Sequence, residues 1–218
     1  MTKILENSYR FVNISFINEI AINCHHMEID VWEVINAAAT KPFGFVPYYP
    51  GPGIGGHCIP VDPLYLLWRA KHYNSEVKMI ETAKEINDNM PDYIVSRLQK
   101  FMEKNNKKLQ DSSILLVGMS YKKDVGDLRE SVSLKVLEKL LNKEVNVSIH
   151  DSLVQSFTLN EKMFTSLPLT PETIENHDCT IILTNHSYIP YEMIVKYAPL
   201  VFDTRHQITG NPSNIEKL

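Results

Sequence analysis

The stretch SSILLVG at residues 112–118 is an uninterrupted apolar run that ends in glycine, which is the pattern of a buried strand. The helical pattern SVSLKVLEKLL follows it at residues 131–141, and VNVSIHD at residues 145–151 reads as a second strand. Two more strand patterns, CTIILT at residues 179–184 and PLVFD at residues 199–203, have helical sequence between them. This alternation predicts an α/β fold with a Rossmann-like parallel sheet and right-handed crossovers.

Polar residues stand at the predicted carboxyl ends of these strands. Ligands of open parallel sheets bind outside those ends. The ends carry Gly118–Lys122, Asp151, Thr184–His186 and Asp203–Arg205. No G-x-G-x-x-G pattern follows these strands, so the residues alone do not predict a dinucleotide site.

The earlier part of the chain is helical in pattern. Residues 3–24 are apolar on nearly every side, which predicts a helix buried against several neighbours. Residues 28–39 read as a shorter helix. From about Glu76 to about Asn105, apolar residues recur at three- and four-residue steps, and Pro91 should kink or break that helix. So much apolar helix in a small domain suggests burial against a second copy of the chain.

These patterns divide the chain into an all-helical domain at residues 1–108 and the sheet domain at residues 109–218. The net charge of −4 gives no general attraction to nucleic acid or to anionic membranes. No apolar run approaches the roughly 18 residues that span a bilayer. Three scattered cysteines do not make a disulfide scaffold, so we expect a cytoplasmic protein with reduced thiols.

A long loop interrupts the helical half. Between Pro42 and Pro63 lie six of the twelve prolines, and residues 51–56 of this stretch hold four of the eight glycines, Gly51, Gly53, Gly55 and Gly56. Proline holds a loop in shape, while glycine lets the backbone approach a ligand closely. Long structured loops inside compact domains are usually functional.

The segment GPGIGGHCIPVDP at residues 51–63 places Cys58 within this loop, with Asp62 four residues later. A cysteine in an accessible glycine-rich loop is a candidate nucleophile. A free cysteine is more often a packed small hydrophobic residue. From the loop alone, both interpretations stay open.

Three stretches, in order, resemble the UDP-glucose/GDP-mannose dehydrogenase family. Residues 51–63 resemble its active-cysteine loop. Residues 2–21 are similar to its central helix, in which a lysine and an asparagine four residues apart are catalytic. Residues 117–140 are similar to the opening of its C-terminal UDP-binding domain. The resemblance covers essentially the whole chain and makes residues 1–108 a central dimerisation domain.

The resemblance implies a catalytic role for four residues. Cys58 would be the nucleophile, and Asp62 would position or activate water. Lys3 and Asn7 share one helix face through their four-residue spacing, so both can point at one reacting oxygen. The family oxidises a sugar C6 alcohol to a carboxylate in two NAD-dependent hydride transfers, through a thiohemiacetal and a thioester on the cysteine.

Further positions match ligand contacts of the family. The loop from Tyr49 to Gly55 would wrap the nucleotide sugar, with glycine amides able to face it. The implied substrate-binding residues are Tyr49, Gly51, Gly53, Gly55, Tyr121, Lys122 and Arg205, and Arg129 would contact NAD. Without the resemblance, basic residues at strand ends are mostly solvated. No metal site is expected.

Two departures from the family pattern bear on the substrate. Members that act on UDP-glucose usually carry a small residue before the cysteine and a lysine before the aspartate, where this chain has His57 and Val61. This form resembles the branch that acts on UDP-N-acetylhexosamines for capsule or O-antigen polysaccharide synthesis. The sequence does not fix which hexosamine.

Nothing in the sequence corresponds to the family's front NAD-binding Rossmann domain. We therefore expect the chain, by itself, to have no dehydrogenase activity. The open alternatives are a non-catalytic UDP-sugar-binding or scaffold fragment, a UDP-glucose 6-dehydrogenase, and an unrelated thiol enzyme that uses Cys58. The expected partners are a UDP-sugar and a second copy of the chain.

Overall fold

Four helices form the first part of the molecule: α1 (Thr2–His26), α2 (Val31–Ala39), α3 (Asp62–Lys71) and α4 (Lys78–Lys104). The structure, a computed structural model, describes residues 1–210 and 212–218. It divides into two units, Met1–Met90 and Pro91–Leu218. The boundary expected between residues 108 and 109 stays a prediction.

The first unit has two small cores. Asp30 caps α2 by accepting hydrogen bonds from the backbone of Trp32 and Glu33, which satisfies donors at the helix start. One core joins α1 to α2 and consists of Ile17, Ala21, Cys24, Val31, Trp32 and Ile35. The other consists of Phe11, Ile54, Ile80 and Ala83. Since Ile54 belongs to the long loop, the loop is anchored in the core of the unit.

Helix α4 continues through Pro91, so this proline does not break the helix, and the alternative that it kinks the helix stays a prediction. A proline inside a helix costs about 3 kcal/mol through a lost hydrogen bond and a steric clash. Met90 and Ile94, next to it along the helix, are fully buried. We infer that burial of this apolar stretch offsets the cost.

The second unit contains the predicted parallel sheet. Its strands are β1 (Ser113–Val117), β2 (Asn146–His150), β5 (Cys179–Ile182), β6 (Val201–Asp203) and β7 (Ile215–Lys217), in the spatial order β2-β1-β5-β6-β7 with every pair parallel. The helices are α5 (Val132–Leu141), α6 (Pro171–Glu175) and α7 (Tyr191–Tyr197), and a short 3-10 helix spans Leu109–Asp111. An antiparallel hairpin, β3 (Ser156–Leu159) and β4 (Lys162–Thr165), had no counterpart in the sequence prediction.

Alternation along β1 divides the core of the second unit between the two faces of the sheet. Ile114 and Leu116 pack with residues of α4 and α5, whereas Leu115 and Val117 pack with residues of α6 and α7. All four side chains are fully buried. The continuous apolar run in the sequence is explained, because this strand is covered on both faces. The predicted α/β architecture, helices followed by a Rossmann-like parallel sheet, is confirmed.

The strand order reverses between β1 and β5, and Gly118 lies at the end of β1 at that point. Its φ of +86° is in the left-handed region, and a Cβ atom there would lie 2.3 Å from the backbone oxygen of Thr184. Only glycine fits so close an approach. Ligands of open sheets bind at such a switch point. Within the described ranges, no helix has the length and apolar character needed to cross a membrane.

Candidate functional site

Cys58 lies in the last turn of the loop before α3. Its carbonyl oxygen accepts a hydrogen bond of 2.9 Å from the backbone of Asp62, which leads the chain into the helix. Cys58 is exposed, whereas Cys24 and Cys179 are buried, and all three are free thiols. Burial raises the pKa of Cys179 well above the usual thiol value. Cys58 is therefore the cysteine that a ligand or reagent can reach.

Lys3 and Asn7 converge on one oxygen of Asp62. The Lys3 ammonium lies 3.1 Å from Asp62 Oδ2, and the Asn7 amide donates a hydrogen bond of 2.6 Å to the same oxygen. Both residues are on α1, which packs against α3, the helix that begins at Asp62. Lys3 is held in the first turn of α1 by this contact.

The charges of this cluster reinforce one another. The hydrogen bond from Asn7 lowers the pKa of Asp62, and Lys3 acts in the same direction against the opposing effect of burial. The pKa of Lys3 is raised, chiefly by Asp62 and further by Cys58. The arrangement places a cation, an amide donor and an ionised carboxylate next to an exposed thiol.

Two buried asparagines hold the glycine loop from neighbouring helices. Asn18 of α1 accepts a hydrogen bond of 2.9 Å from the backbone of Gly51, and Asn87 of α4 accepts one of 2.6 Å from Ile54. The amide of Gly51 is therefore occupied and buried, and the substrate contact expected at this glycine stays a prediction. Gly53 and Gly55 are partly exposed.

Tyr49 is already engaged on one ring face. Its ring stacks on Trp32 with centroids 5.4 Å apart and an interplanar angle of 15°. The side chain remains exposed, so the other face is accessible. Tyr48 meets Tyr9 edge-on at 6.1 Å. These aromatic contacts hold the part of the loop that precedes its glycines against α1 and α2.

In the second unit, Asp151 organises the carboxyl edge of the sheet. Its Oδ2 accepts hydrogen bonds from the backbone of Met119, and from the backbone and hydroxyl of Ser120, at 2.8 to 2.9 Å. The Nε2 atom of His186 lies 3.1 Å from the same oxygen. Burial alone would raise the pKa of Asp151, but the hydrogen bonds from His186 and Ser120 outweigh it and hold the pKa well below the usual carboxyl range.

Tyr121 and Lys122 follow directly on this anchored turn. The backbone of Tyr121 donates a hydrogen bond of 2.9 Å to Asp127, and Lys122 is exposed. The hydroxyl of Thr184 donates to the carbonyl of Ser120 at 2.7 Å, which ties the turn to the end of β5. Both predicted substrate-binding residues thus lie at the sheet's carboxyl edge.

Arg205 lies beyond the end of β6 and is partly buried. Its Nε donates a hydrogen bond of 2.7 Å to the carbonyl of Leu183, and its backbone donates to Asp203. Burial lowers the pKa of the guanidinium to about 10, against the opposing charge of Asp203. At neutral pH the side chain remains a cation.

Arg129 is exposed and pairs with Asp127, through Nη2 at 2.8 Å from Oδ2 and through Nε. This ion pair raises the pKa of Arg129. Dinucleotide-binding sheets bind the ribose with an acidic residue beyond the first strand. Asp151, the acid that ends β2, is fully occupied within the protein. Asp151 is therefore not free to bind a ribose in this structure.

Several residues of these arrangements were missed from the sequence. No role was predicted for Asn18, Asn87 or His186. Asn18 and Asn87 are polar residues within apolar helix patterns, and such a position could have indicated a buried hydrogen bond. A cavity of about 620 Å³ beside α7 is lined by Ile189, Pro190, Tyr191, Glu192, Val195, Lys196, Gln207, Ile208 and Thr209. None of these lining residues was among the predicted site residues. Across the described part of the chain, no group of three potential metal ligands occurs.

Comparison with known proteins matches both halves of the chain to family models. Residues 1–89 match the central domain of the UDP-glucose/GDP-mannose dehydrogenase family, and residues 115–210 match its UDP-binding domain. A UDP-N-acetyl-D-mannosamine dehydrogenase of Methanococcus vannielii is 35% identical over 86% of this chain and 41% of its own length. Protein CapL of Staphylococcus aureus is 32% identical over 99% of this chain and 51% of its own length.

A solved structure agrees in fold along the whole chain. The UDP-D-ManNAc dehydrogenase of Pyrococcus horikoshii superimposes with a TM-score of 0.85 at 31% identity, covering 100% of this chain and 50% of that one. The chain thus spans about half the length of the relatives that it matches. With two ordered family models and a matching fold, the chain belongs to the UDP-glucose/GDP-mannose dehydrogenase family.

Proposed function

We propose that this chain is the thiol-bearing and substrate-binding part of a nucleotide-sugar 6-dehydrogenase. The observation that carries the proposal is the cluster in which Lys3 and Asn7 converge on Asp62, next to the exposed Cys58. A packed, inert cysteine would be buried in apolar surroundings, as Cys179 is. An exposed thiol beside a cation and a carboxylate suits covalent chemistry.

The proposed substrate is a UDP-N-acetylhexosamine, and among these UDP-N-acetylmannosamine is favoured. His57 and Val61 stand where members that act on UDP-glucose usually carry a small residue and a lysine. The relatives named above that carry a substrate name are called dehydrogenases of UDP-N-acetylmannosamine. The product would be the corresponding uronic acid, and a role in capsule or O-antigen polysaccharide synthesis stays a prediction.

The thiol would act on the C6 aldehyde. A bond forms between Cys58 Sγ and C6, and the carbonyl oxygen takes up a proton, which gives a thiohemiacetal. After oxidation at C6 to a thioester, water adds to C6, the bond between Sγ and C6 breaks, and the sulfur regains its proton. Sulfur is suited to both steps because it is a strong nucleophile and a good leaving group.

The neighbouring residues would stabilise charge and handle protons. An oxygen on C6 within reach of Lys3 and Asn7 would meet one cation and one amide donor, the groups that stabilise an oxyanion. Asp62 is held ionised, so it can accept a proton from the attacking water. Because Lys3 and Asn7 now contact Asp62, substrate must share or displace those contacts.

Family resemblance implies that NAD accepts the two hydrides. Asp151 is already bound within the protein and no G-x-G-x-x-G pattern follows the strands of the sheet, so we expect the chain by itself not to reduce NAD. Binding of UDP-sugar without turnover is the alternative that this observation favours. Arg129 would add one contact to NAD if Asp127 released it.

In the second unit, the proposed partners of the nucleotide part are Tyr121, Lys122 and Arg205. Two cations at the carboxyl edge of the sheet complement the charge of a diphosphate. In the first unit, Tyr49 and the partly exposed Gly53 and Gly55 would contact the sugar nucleotide along the loop. Gly51 would contribute by having no side chain in the way of the ligand, because its amide already bonds to Asn18.

Thiol protection tests this proposal on the chain itself. Iodoacetamide should alkylate Cys58, while Cys24 and Cys179 stay unmodified in the folded protein, as read by peptide mass spectrometry. UDP-N-acetylmannosamine at ten times its Kd should slow alkylation of Cys58 about tenfold, since only free protein reacts. UDP-glucose should protect less at the same concentration.

Three outcomes would count against the proposal or a part of it. Equal alkylation of Cys58 with and without every UDP-sugar tested, in folded protein, would overturn it. Stronger protection by UDP-glucose would keep the enzyme class but replace the substrate. Protection by an acyl donor with formation of a stable thioester would instead favour an unrelated thiol enzyme.

The homodimer expected from the sequence is also a proposal. Three large apolar side chains of α1, Leu5, Tyr9 and Phe16, are more than half exposed, and burial of such residues stabilises association. Sedimentation equilibrium should give twice the chain mass. A monomer at all accessible concentrations would remove this part of the proposal.

A further inference from the structure

His186 is a fully buried histidine between two loops at the carboxyl edge of the sheet. Its Nδ1 accepts a hydrogen bond of 2.9 Å from the backbone of Asp124, and its Nε2 lies 3.1 Å from Asp151 Oδ2. Its ring stacks on Tyr188 with centroids 5.2 Å apart. No step of the proposed reaction uses this side chain.

The hydrogen bonds fix the tautomer of the ring. An Nδ1 that accepts from a backbone N–H carries no proton of its own, so the ring proton is on Nε2. Nε2 therefore donates to the ionised Asp151, which also holds the backbone of Met119 and Ser120. The ring thus has one donor and one acceptor, and each holds a different segment.

Asp124 closes the connection from the other side. Its carboxylate accepts hydrogen bonds of 2.7 Å from the backbone and from the hydroxyl of Ser187, the residue after His186. The φ of Asp124, +59°, lies in the left-handed region that residues other than glycine rarely adopt. The strained conformation persists where surrounding contacts determine it, and these three hydrogen bonds provide such contacts.

The two anchor points bracket the residues that follow β1. Ser120 is held by Asp151, and Asp124 is held by His186 and Ser187, so the intervening Tyr121 and Lys122 belong to a turn fixed at both ends. Lys122 itself is exposed. A long flexible side chain binds an anion more tightly when its backbone is already positioned.

We propose that His186 is a positioning residue that holds the turn at residues 120–124 so that Lys122 and Tyr121 meet the diphosphate of a nucleotide sugar. The inference rests on the proposed function and deepens it. Nδ1 carries this role through Asp124, whereas Nε2 contributes mainly to the stability of the sheet edge through Asp151.

Two substitutions separate the two nitrogens. In His186→Asn, the amide oxygen can take the place of Nδ1 and keep the bond from Asp124, but the donor to Asp151 is lost. In His186→Gln, the amide nitrogen can take the place of Nε2 and keep the bond to Asp151, but the acceptor for Asp124 is lost. The matched control is His177→Asn. His177 is also buried, but it lies near the amino end of β5 and its ring contacts the carbonyl of Thr173.

Three measurements on the 218-residue chain decide the matter: the affinity for UDP by calorimetry, the exchange rate of the Asp124 amide by NMR, and the thermal midpoint. We expect His186→Gln to speed exchange at Asp124 and to weaken UDP binding about tenfold, which corresponds to about 1.4 kcal/mol. His186→Asn should keep slow exchange and bind UDP within about twofold of wild type, although its thermal midpoint falls. The control should change neither UDP affinity nor Asp124 exchange.

Failure of the inference and failure of the proposed function give different results. Wild-type chain that binds no UDP at millimolar concentration would overturn the proposed function and this inference with it. Wild-type binding with equal loss of affinity in both variants, or with no loss in His186→Gln, would overturn the positioning role alone. If both variants lose the same affinity for UDP, His186 has a structural role, because the loss of affinity would follow the loss of stability.

Discussion

The side-chain amide of Asn7 donates a hydrogen bond of 2.6 Å to Asp62, although the two residues are 55 positions apart in sequence. Asn7 is buried on α1, and Asp62 begins α3. The bond favours the ionised form of Asp62, because it lowers the pKa of the carboxyl group. The packing of α1 on α3 thus sets the charge state next to Cys58.

Replacing Asn7 by leucine should raise the pKa of Asp62 towards its ordinary value, because the chief stabilising contact of the carboxylate is lost. A carboxyl-carbon NMR titration measures this directly. Asn13→Leu is the control, since Asn13 is half-buried on the same helix and its amide donates to the carbonyl of Tyr9. An unchanged titration of Asp62 in Asn7→Leu would contradict the assignment.

The same contact predicts the sign of a pH effect on stability. A carboxyl group whose pKa is lowered in the folded state stabilises the fold above the unfolded value of about 4. That contribution is lost as the pH falls through the lowered pKa. The free energy of unfolding of Asn7→Leu should therefore fall less steeply on acidification below about pH 4 than that of the wild type.

Asn18→Leu and Asn87→Leu should each leave a buried loop amide without its acceptor, at a cost of about 1–3 kcal/mol. Urea unfolding followed by tryptophan fluorescence suits this test, because both tryptophans lie in the first unit. Faster amide exchange at Gly51 or Ile54 should accompany the loss. Asn23→Leu should stay within about 0.5 kcal/mol of wild type, because Asn23 is exposed and its amide donates to the carbonyl of Glu19 in its own helix.

Gly118→Ala should destabilise the second unit by about 3 kcal/mol or more, because the added Cβ would overlap the backbone of Thr184. Gly210→Ala is the matched control: its φ of +72° is also positive, but nothing lies within 4 Å of the added carbon. Backbone strain alone should cost the control about 1 kcal/mol. Equal losses, measured by urea unfolding with circular dichroism, would show that crowding at Thr184 is unimportant.

Asp151→Asn should cost roughly 3–5 kcal/mol, because it removes the buried charge to which five groups donate hydrogen bonds. The lowered pKa of Asp151 means that the wild type loses this stability as the pH falls below the unfolded carboxyl value of about 4. Unfolding of the variant should therefore depend less on pH between about 5 and 2. Identical pH profiles for the two proteins would contradict the role given to this carboxylate.

Much of the fold follows from local pattern. The apolar run at residues 112–118 became β1 because a strand covered on both faces needs no polar side. Helix α1 formed where the sequence is apolar on nearly every side of a helix. The sequence left open whether Pro91 kinks or breaks α4, because its effect depends on burial of its neighbours, which is a property of the packed helix. The hairpin β3–β4 was missed, since its strands are largely exposed and lack the continuous apolar run that marks a buried strand such as β5.

The sequence by itself determined the family, the order of its motifs and the identity of the candidate nucleophile, because these depend on residue types at short spacings. Only the tertiary structure decided that Lys3 and Asn7 meet Asp62, that Asn18 occupies the amide of Gly51, and that His186 joins Asp124 to Asp151. Those contacts join residues from 33 to 62 positions apart. Hydrogen bonding over such separations is set by how helices and strands pack, and no local pattern encodes it.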